Sequence, residues 1–315
     1  MNPFALLCSG QGGDSPDLFE RFPFTKKGID LKQQMLENGC LSPDVAKWLE
    51  NPKTQPNLIY QDHYSQPLLC LFQAMVWAEL SDRLPTPQFV AGYSLGELSA
   101  YGCAGALAPE DVVGLASIRA RAMDAAAPSG RLLAITGIPV ERAAMIASQH
   151  RGYVAIIVGK DHCILGCLAE NADELASAAR TIASRVVILS VTVAGHTPLL
   201  DSAVTPFRQA LLGRNCQAFN IPVLAGVNAY KVISKEQMGQ WLPEAIHRTV
   251  RWDLVLSRLT ESHCSVFLEL GAGRQLAQMA LAEKPDGEAR SISEFRSLEG
   301  IVAWVEKALE RMGSC

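Results

Sequence analysis

This 315-residue sequence predicts an α/β fold: a core built on a parallel sheet, interrupted by a small second sheet. Three observations carry that expectation. Short apolar runs alternate with helical patterns along most of the chain, the rhythm of strand–helix–strand crossovers. Between residues 128 and 194 the order changes to β-α-β-β-α-β, the split-βαβ arrangement. The composition, 49% hydrophobic and 19% charged, supplies enough apolar material for a sizeable core. The expected division is therefore 1–127 and 195–315 for the core and 128–194 for the insert.

The elements follow in order. Phe4–Cys8 is a short apolar run that stops at Ser9-Gly10-Gln11-Gly12-Gly13, as a buried first strand entering a loop would. A polar, proline-punctuated stretch follows. Pro67 then reads as the first turn of an apolar helix to Leu80, and Pro85 and Pro87 close that segment. PQFVAGYS gives a short strand running into a turn, Leu95–Ala106 a Gly/Ala-rich helix, and Pro109 opens another helix through DVVGLASIRARAM. In the insert, strands are expected at Leu132–Thr136, Tyr153–Val158, Cys163–Gly166 and VVILSV, with helices at Val140–Gln149 and Glu170–Ala183. The core resumes near His196 with a long helix, then strands at Pro222–Ala225 and Val266–Leu270 and a last helix at Ile301–Arg311.

Charge and cysteine content exclude several classes. Lys plus Arg is 28 against 32 for Asp plus Glu, a net charge of −4, which disfavours nonspecific nucleic-acid binding. No apolar run reaches the roughly 18 residues of a membrane span, and MNPFALLCSGQGG lacks the basic head and cleavage pattern of an export signal. Nine scattered cysteines, an odd number, suit free buried thiols in a reducing cytoplasm. His162, Cys163 and Cys167 lack a fourth donor, so packing is expected there and no metal. Gly10-Gln11-Gly12-Gly13 has no Lys-Ser/Thr ending of a P-loop, and Gly271-Ala272-Gly273 carries Leu276 where a dinucleotide fingerprint needs its third glycine.

The chemistry concentrates at Gly92-Tyr93-Ser94-Leu95-Gly96. This G-x-S-x-G sits between a predicted strand and a predicted helix, the context of a nucleophile elbow that presents Ser94 outward. Leu95 N–H, at the helix start, is free to face an oxyanion. A serine needs a proton acceptor. Of the six histidines, His196 has the best setting, between the VVILSVTVAG run and Thr197-Pro198. The same segment supplies no obvious carboxylate partner: Asp201, five residues on, is compatible with helix-surface charge, and a backbone carbonyl is the alternative that would orient the ring and give a Ser-His dyad. Arg119 and Arg121 are alternative sites for a substrate carboxylate.

SGQGG, YSQPLL, GYSLGELSAYGCAGAL, SIRARAM, VTVAGHTPLL, GVNA, TVRW and FLELGAG occur in an order that resembles the malonyl-CoA:acyl-carrier-protein transacylase family over nearly the whole chain. Within it, GYSLGELSAYGCAG is most similar to the malonate decarboxylase branch. The resemblance implies a hydrolase-like core with a ferredoxin-like insert. It implies Ser94 as the acylated nucleophile, His196 as general base, and the backbone N–H groups of Gln11 and Leu95 as the oxyanion hole. It further implies Arg119 as partner of the malonyl carboxylate, Gln66 as a pocket residue, and the Arg251 carbonyl as the group that orients the histidine. Tyr93 stands where a histidine is usual, Ser9 where a proline often precedes GQG, Gly13-Asp14 departs from a serine-glutamine pattern, and IIVGKDHC lacks an asparagine-rich segment.

The implied reaction is ping-pong transfer of malonyl from CoA through malonyl-Ser94 to the phosphopantetheine-type arm of an acyl carrier protein. No cofactor is expected on this chain. In the malonate decarboxylase setting the acceptor is that system's small carrier subunit. The alternatives are a malonyl transacylase of fatty-acid or polyketide synthesis, and a serine thioesterase or esterase using water.

Overall fold

The computed structural model describes residues 3–13, 15–127 and 129–313. Asp14 of the Gly13-Asp14 departure, Pro128 at the expected start of the insert, and the ninth cysteine, Cys315, lie outside the described residues. The strands are β1 (Phe4–Cys8), β2 (Phe89–Gly92), β3 (Gly130–Thr136), β4 (Gly152–Gly159), β5 (His162–Leu168), β6 (Arg185–Ile188), β7 (Val223–Leu224), β8 (Lys231–Val232), β9 (Val250–Arg251), β10 (Val266–Leu270) and β11 (Glu288–Ser291).

Every residue of β1, β2 and β10 is buried, as expected of strands covered on both faces. They form the centre of a six-stranded sheet in the order β11-β10-β1-β2-β7-β8, parallel throughout except for β8 at one edge. β1 is the strand from which the chain proceeds first to one side and later to the other. The crevice beyond the carboxyl ends of such strands is where open α/β sheets bind ligands. The loops after β1 and β2 carry Gly10-Gln11 and Tyr93-Ser94.

Between Gly130 and Ile188 the elements alternate as strand, helix, strand, strand, helix, strand. β6-β3-β5-β4 is antiparallel, with helices Val140–Gln149 and Ala172–Arg180 in the connections. This sheet is not closed on itself: β9, from the core part of the chain, adds in parallel to β4. Leu132, Ile156 and Ile164 of this second sheet share an apolar cluster with Leu7, Phe89 and Trp252, which packs it against the core. Cys163 and Cys167 are buried in the insert's own core.

Several helices differ from expectation. The helix expected from Pro67 begins at Asp62, so Pro67 lies inside it. The missing proline N–H concerns only the first-turn carbonyl of His63, which limits the disruption. The polar stretch before it contains helices Lys26–Glu37 and Pro43–Glu50, each burying only two residues, so no broad apolar face marked them. Helices Lys235–Glu244, Trp252–Glu261 and Gln275–Glu283 were also absent from the sequence reading. Among the described residues no helix is long and apolar enough to cross a membrane, and no group of three or more His, Cys, Asp or Glu side chains could hold a metal ion.

Candidate active site

The elbow after β2 is shaped by close backbone approach. A Cβ on Gly96 would lie 2.0 Å from the Cys8 carbonyl oxygen, so the helix Gly96–Cys103 can seat against the end of β1 only with glycine there. Ser94 itself adopts φ +55°, the left-handed region that ordinary residues avoid. A Cβ on Gly10 would meet the Tyr93 carbonyl oxygen at 2.6 Å, so the loop after β1 also presses on the elbow. Neither Gln11 N–H nor Leu95 N–H has an acceptor among the described residues, and both belong to these segments beside Ser94.

Ser94 Oγ lies 2.7 Å from His196 Nε2. His196 is 2% exposed and has φ +65°. Its backbone N–H donates to the Ile246 carbonyl at 2.8 Å, and its Nδ1 bonds the Ala245 carbonyl. Ala245 caps the C-terminus of helix Lys235–Glu244. Helix C-termini leave carbonyls without intrahelical partners and carry partial negative charge. One such end therefore sets the imidazole tautomer and favours the cation formed during proton transfer. This corrects the expectation for Arg251, which lies in β9, donates its N–H to Gly226 and pairs its side chain with Asp253. Asp201 bonds His247 at the surface. Burial, with help from the Arg119 charge, pushes His196 down to about 3, against the Ala245 hydrogen bond. The ring is a neutral acceptor at ordinary pH.

Arg119 projects from helix Pro109–Ala126 and is 4% exposed, whereas Arg121, two residues on, is exposed. Residues two apart do not share a helix face, so of the two only Arg119 is turned into the protein. Arg119 Nη1 donates to Gln66 Oε1 at 2.8 Å. Gln66 is fully buried on helix Asp62–Leu80. Burial lowers the Arg119 pKa, while the charge of Asp62 opposes that shift.

Gln11, Ser94, Arg119 and His196 line one cavity. Its wall is apolar on the insert side, with Leu132, Ile156 and Ile164. Tyr93 also lines it, held edge-on against Trp252 with ring centroids 5.3 Å apart. Four buried acids, Asp62, Glu79, Glu97 and Glu269, escaped the sequence reading, and two of them lie in or beside the segments of the site. Asp62 lines the cavity. Glu97, just after the elbow, is pushed up to about 8 by burial against the pull of the Gly226 backbone and Arg119. Asp62 falls just before YSQPLL and Glu97 inside GYSLGELSAYGCAGAL, but neither motif marks the acid as buried, because burial is a tertiary property.

The acyl transferase domain family matches residues 31–293, most of the chain. The malonyl CoA-acyl carrier protein transacylase of Bacillus subtilis is 26% identical over 306 residues, covering 93% of both chains. Among solved structures, the malonyl CoA-acyl carrier protein transacylase of Coxiella burnetii superposes with a TM-score of 0.86 at 23% identity, covering 97% of this chain and 98% of that one. A malonyl-transacylase solved with its type II polyketide-synthase acyl-carrier protein gives 0.84 at 21% identity, covering 98% and 99%. The fold is thus the mixed-sheet α/β architecture of those transacylases.

Proposed function

From the premise that this chain belongs to the acyl transferase family and is an acyltransferase, we propose that it moves malonyl from CoA to an acyl carrier protein. The observation that carries the reading is one cavity holding a serine–histidine pair at 2.7 Å beside a buried arginine. His196 accepts the Ser94 proton as Oγ attacks the thioester carbonyl. Gln11 and Leu95 N–H groups receive the oxyanion, and the protonated ring supplies a proton as CoA thiol leaves. Attack of the carrier's pantetheine-type thiol on malonyl-Ser94 reverses these steps. Arg119 pairs with the free malonyl carboxylate. A neighbouring cavity lined by Gln11, Gly12, Tyr60, Leu189 and Val191 adjoins the first and offers room for the arm. The cytoplasm suits such substrates, and neither a cofactor nor a nucleic-acid or membrane partner enters the scheme.

We read residues 128–194 as a ferredoxin-like subdomain on a hydrolase-like core, supported by the strand order β6-β3-β5-β4. For the carrier, the relatives described favour fatty-acid or polyketide synthesis. The malonate decarboxylase reading rests on GYSLGELSAYGCAG and on Tyr93, which packs against Trp252 in the cavity wall. A carbonyl behind His196, in place of a carboxylate, supports transfer over the thioesterase reading. The test supplies malonyl-CoA and each type of holo carrier to the purified protein. Malonyl on a fatty-acid or polyketide carrier is expected. Charging of the decarboxylase carrier alone would move the pathway assignment. Rapid carrier-independent release of malonate would replace transfer with hydrolysis.

A further inference from the structure

Asp62 is a carboxylate only 2% exposed that the reaction above does not use. It opens helix Asp62–Leu80, lines the catalytic cavity, and accepts hydrogen bonds from two side-chain amides. Gln11 Nε2 donates to Oδ1 at 2.9 Å, and Gln66 Nε2 donates to Oδ2 at 3.2 Å. Gln11 Nε2 also reaches Ser65 Oγ. An amide has one donor end and one acceptor end. Committing Gln66 Nε2 to Asp62 therefore turns Oε1 toward Arg119, whose Nη1 it meets at 2.8 Å. The other contact of Gln66 Nε2, Met123 Sδ at 3.8 Å, is a weak acceptor and would not set that sense alone.

We propose that Asp62 is a positioning residue for acyl selection: it fixes the amide sense of Gln66, and thereby the aim of Arg119, while holding the side chain of the oxyanion-loop residue Gln11. One carboxylate then joins the half of the cavity that selects the acyl group to the half that stabilises the reacting carbonyl. Its negative charge also offsets the buried guanidinium before substrate arrives. Burial raises the Asp62 pKa, and the Gln11 amide and the Arg119 charge oppose that rise. The inference rests on malonyl being the acyl group.

Asp62→Asn keeps the shape but replaces one acceptor with a donor, so it cannot accept from both glutamines. Satisfying the new donor with Gln66 would turn that amide's own donors toward Arg119. Malonyl-CoA and acetyl-CoA are compared as donors for acylation of the full chain. D62N is expected to cut the malonyl-to-acetyl ratio of kcat/KM about tenfold, through KM for malonyl-CoA, on top of a smaller loss shared by both donors from the weakened Gln11 contact. In an Arg119→Ala background the same substitution should leave the ratio unmoved. Gln11→Ala, at a partly exposed position, removes only the other amide; it should lower both donors alike and keep the ratio, which keeps the idea testable if D62N folds poorly. Equal loss of both donors in D62N, or a shifted ratio in Q11A, would overturn the proposal. Failure of the wild-type chain to accept malonyl would instead overturn the function on which it rests.

Discussion

The two sides of the cavity are built by different means. On the reacting side, Ser94 and His196 both sit at positive φ, glycine contacts fix the elbow, and backbone carbonyls hold the histidine. On the selecting side, Arg119 is held by side chains, through Gln66 to Asp62. Backbone placement ties the serine and histidine less closely to the identity of neighbouring side chains. Side-chain placement lets acyl preference change by substitution without rebuilding the fold. Four substitutions or conditions would break or sharpen that contrast.

The largest effect is expected from His196→Ala. Loss of the base should slow acylation of Ser94 about 10³-fold for malonyl-CoA and acetyl-CoA alike, measured in single turnovers. Unequal loss would show that the histidine also selects the acyl group. Arg119→Ala should do the opposite and spare acetyl transfer. It should remove about 2–5 kcal/mol of malonyl preference, roughly 30- to 4,000-fold. An unchanged ratio of kcat/KM for the two donors would contradict the assigned role.

Gly96→Ala probes the backbone side through stability. Its Cβ would fall 2.0 Å from the Cys8 carbonyl oxygen, so the elbow must shift. We expect a loss of about 3 kcal/mol in urea unfolding together with loss of acylation. A fully stable, active G96A would show that the elbow is more compliant than its contacts imply.

The smallest change concerns pH. With His196 pushed down to about 3, the neutral base persists well below the range in which a free imidazole titrates. Malonylation at pH 5 should therefore stay within about threefold of its rate at pH 7. The same group destabilises the fold in acid: between pH 6.5 and about 3 the unfolded chain binds a proton that the buried ring does not, so its contribution to stability falls as pH drops through that window. An acylation rate falling steeply below pH 6.5 would show that the ring is solvated during the reaction.

This division also explains what could be read from sequence. The elbow was legible because its glycines and strand–helix flanks are local. His196 was legible as the candidate base, and the missing carboxylate pointed to a carbonyl. Which carbonyl was not legible, because helix Lys235–Glu244 went unrecognised, although Ser234 and Gln237 give the S-x-x-Q start signal and Ser234 Oγ accepts from Gln237 N–H. Periodicity gave no preference between Arg119 and Arg121; the family resemblance did, and burial agrees. Asp62 was hidden in a polar stretch because Gln11 and Gln66, which hold it, approach only in the folded chain. The order of strands and helices along residues 130–188 followed from local pattern, whereas addition of β9 to that sheet depends on a contact about 90 residues away in sequence.

Intact mass after brief exposure to malonyl-CoA tests the central claim most directly, comparing the wild-type chain with Ser94→Ala. The account predicts one malonyl group on the wild type, mapped to Ser94, and none on S94A. An equal adduct on S94A, or an unmodified wild-type protein that still charges a carrier, would contradict it.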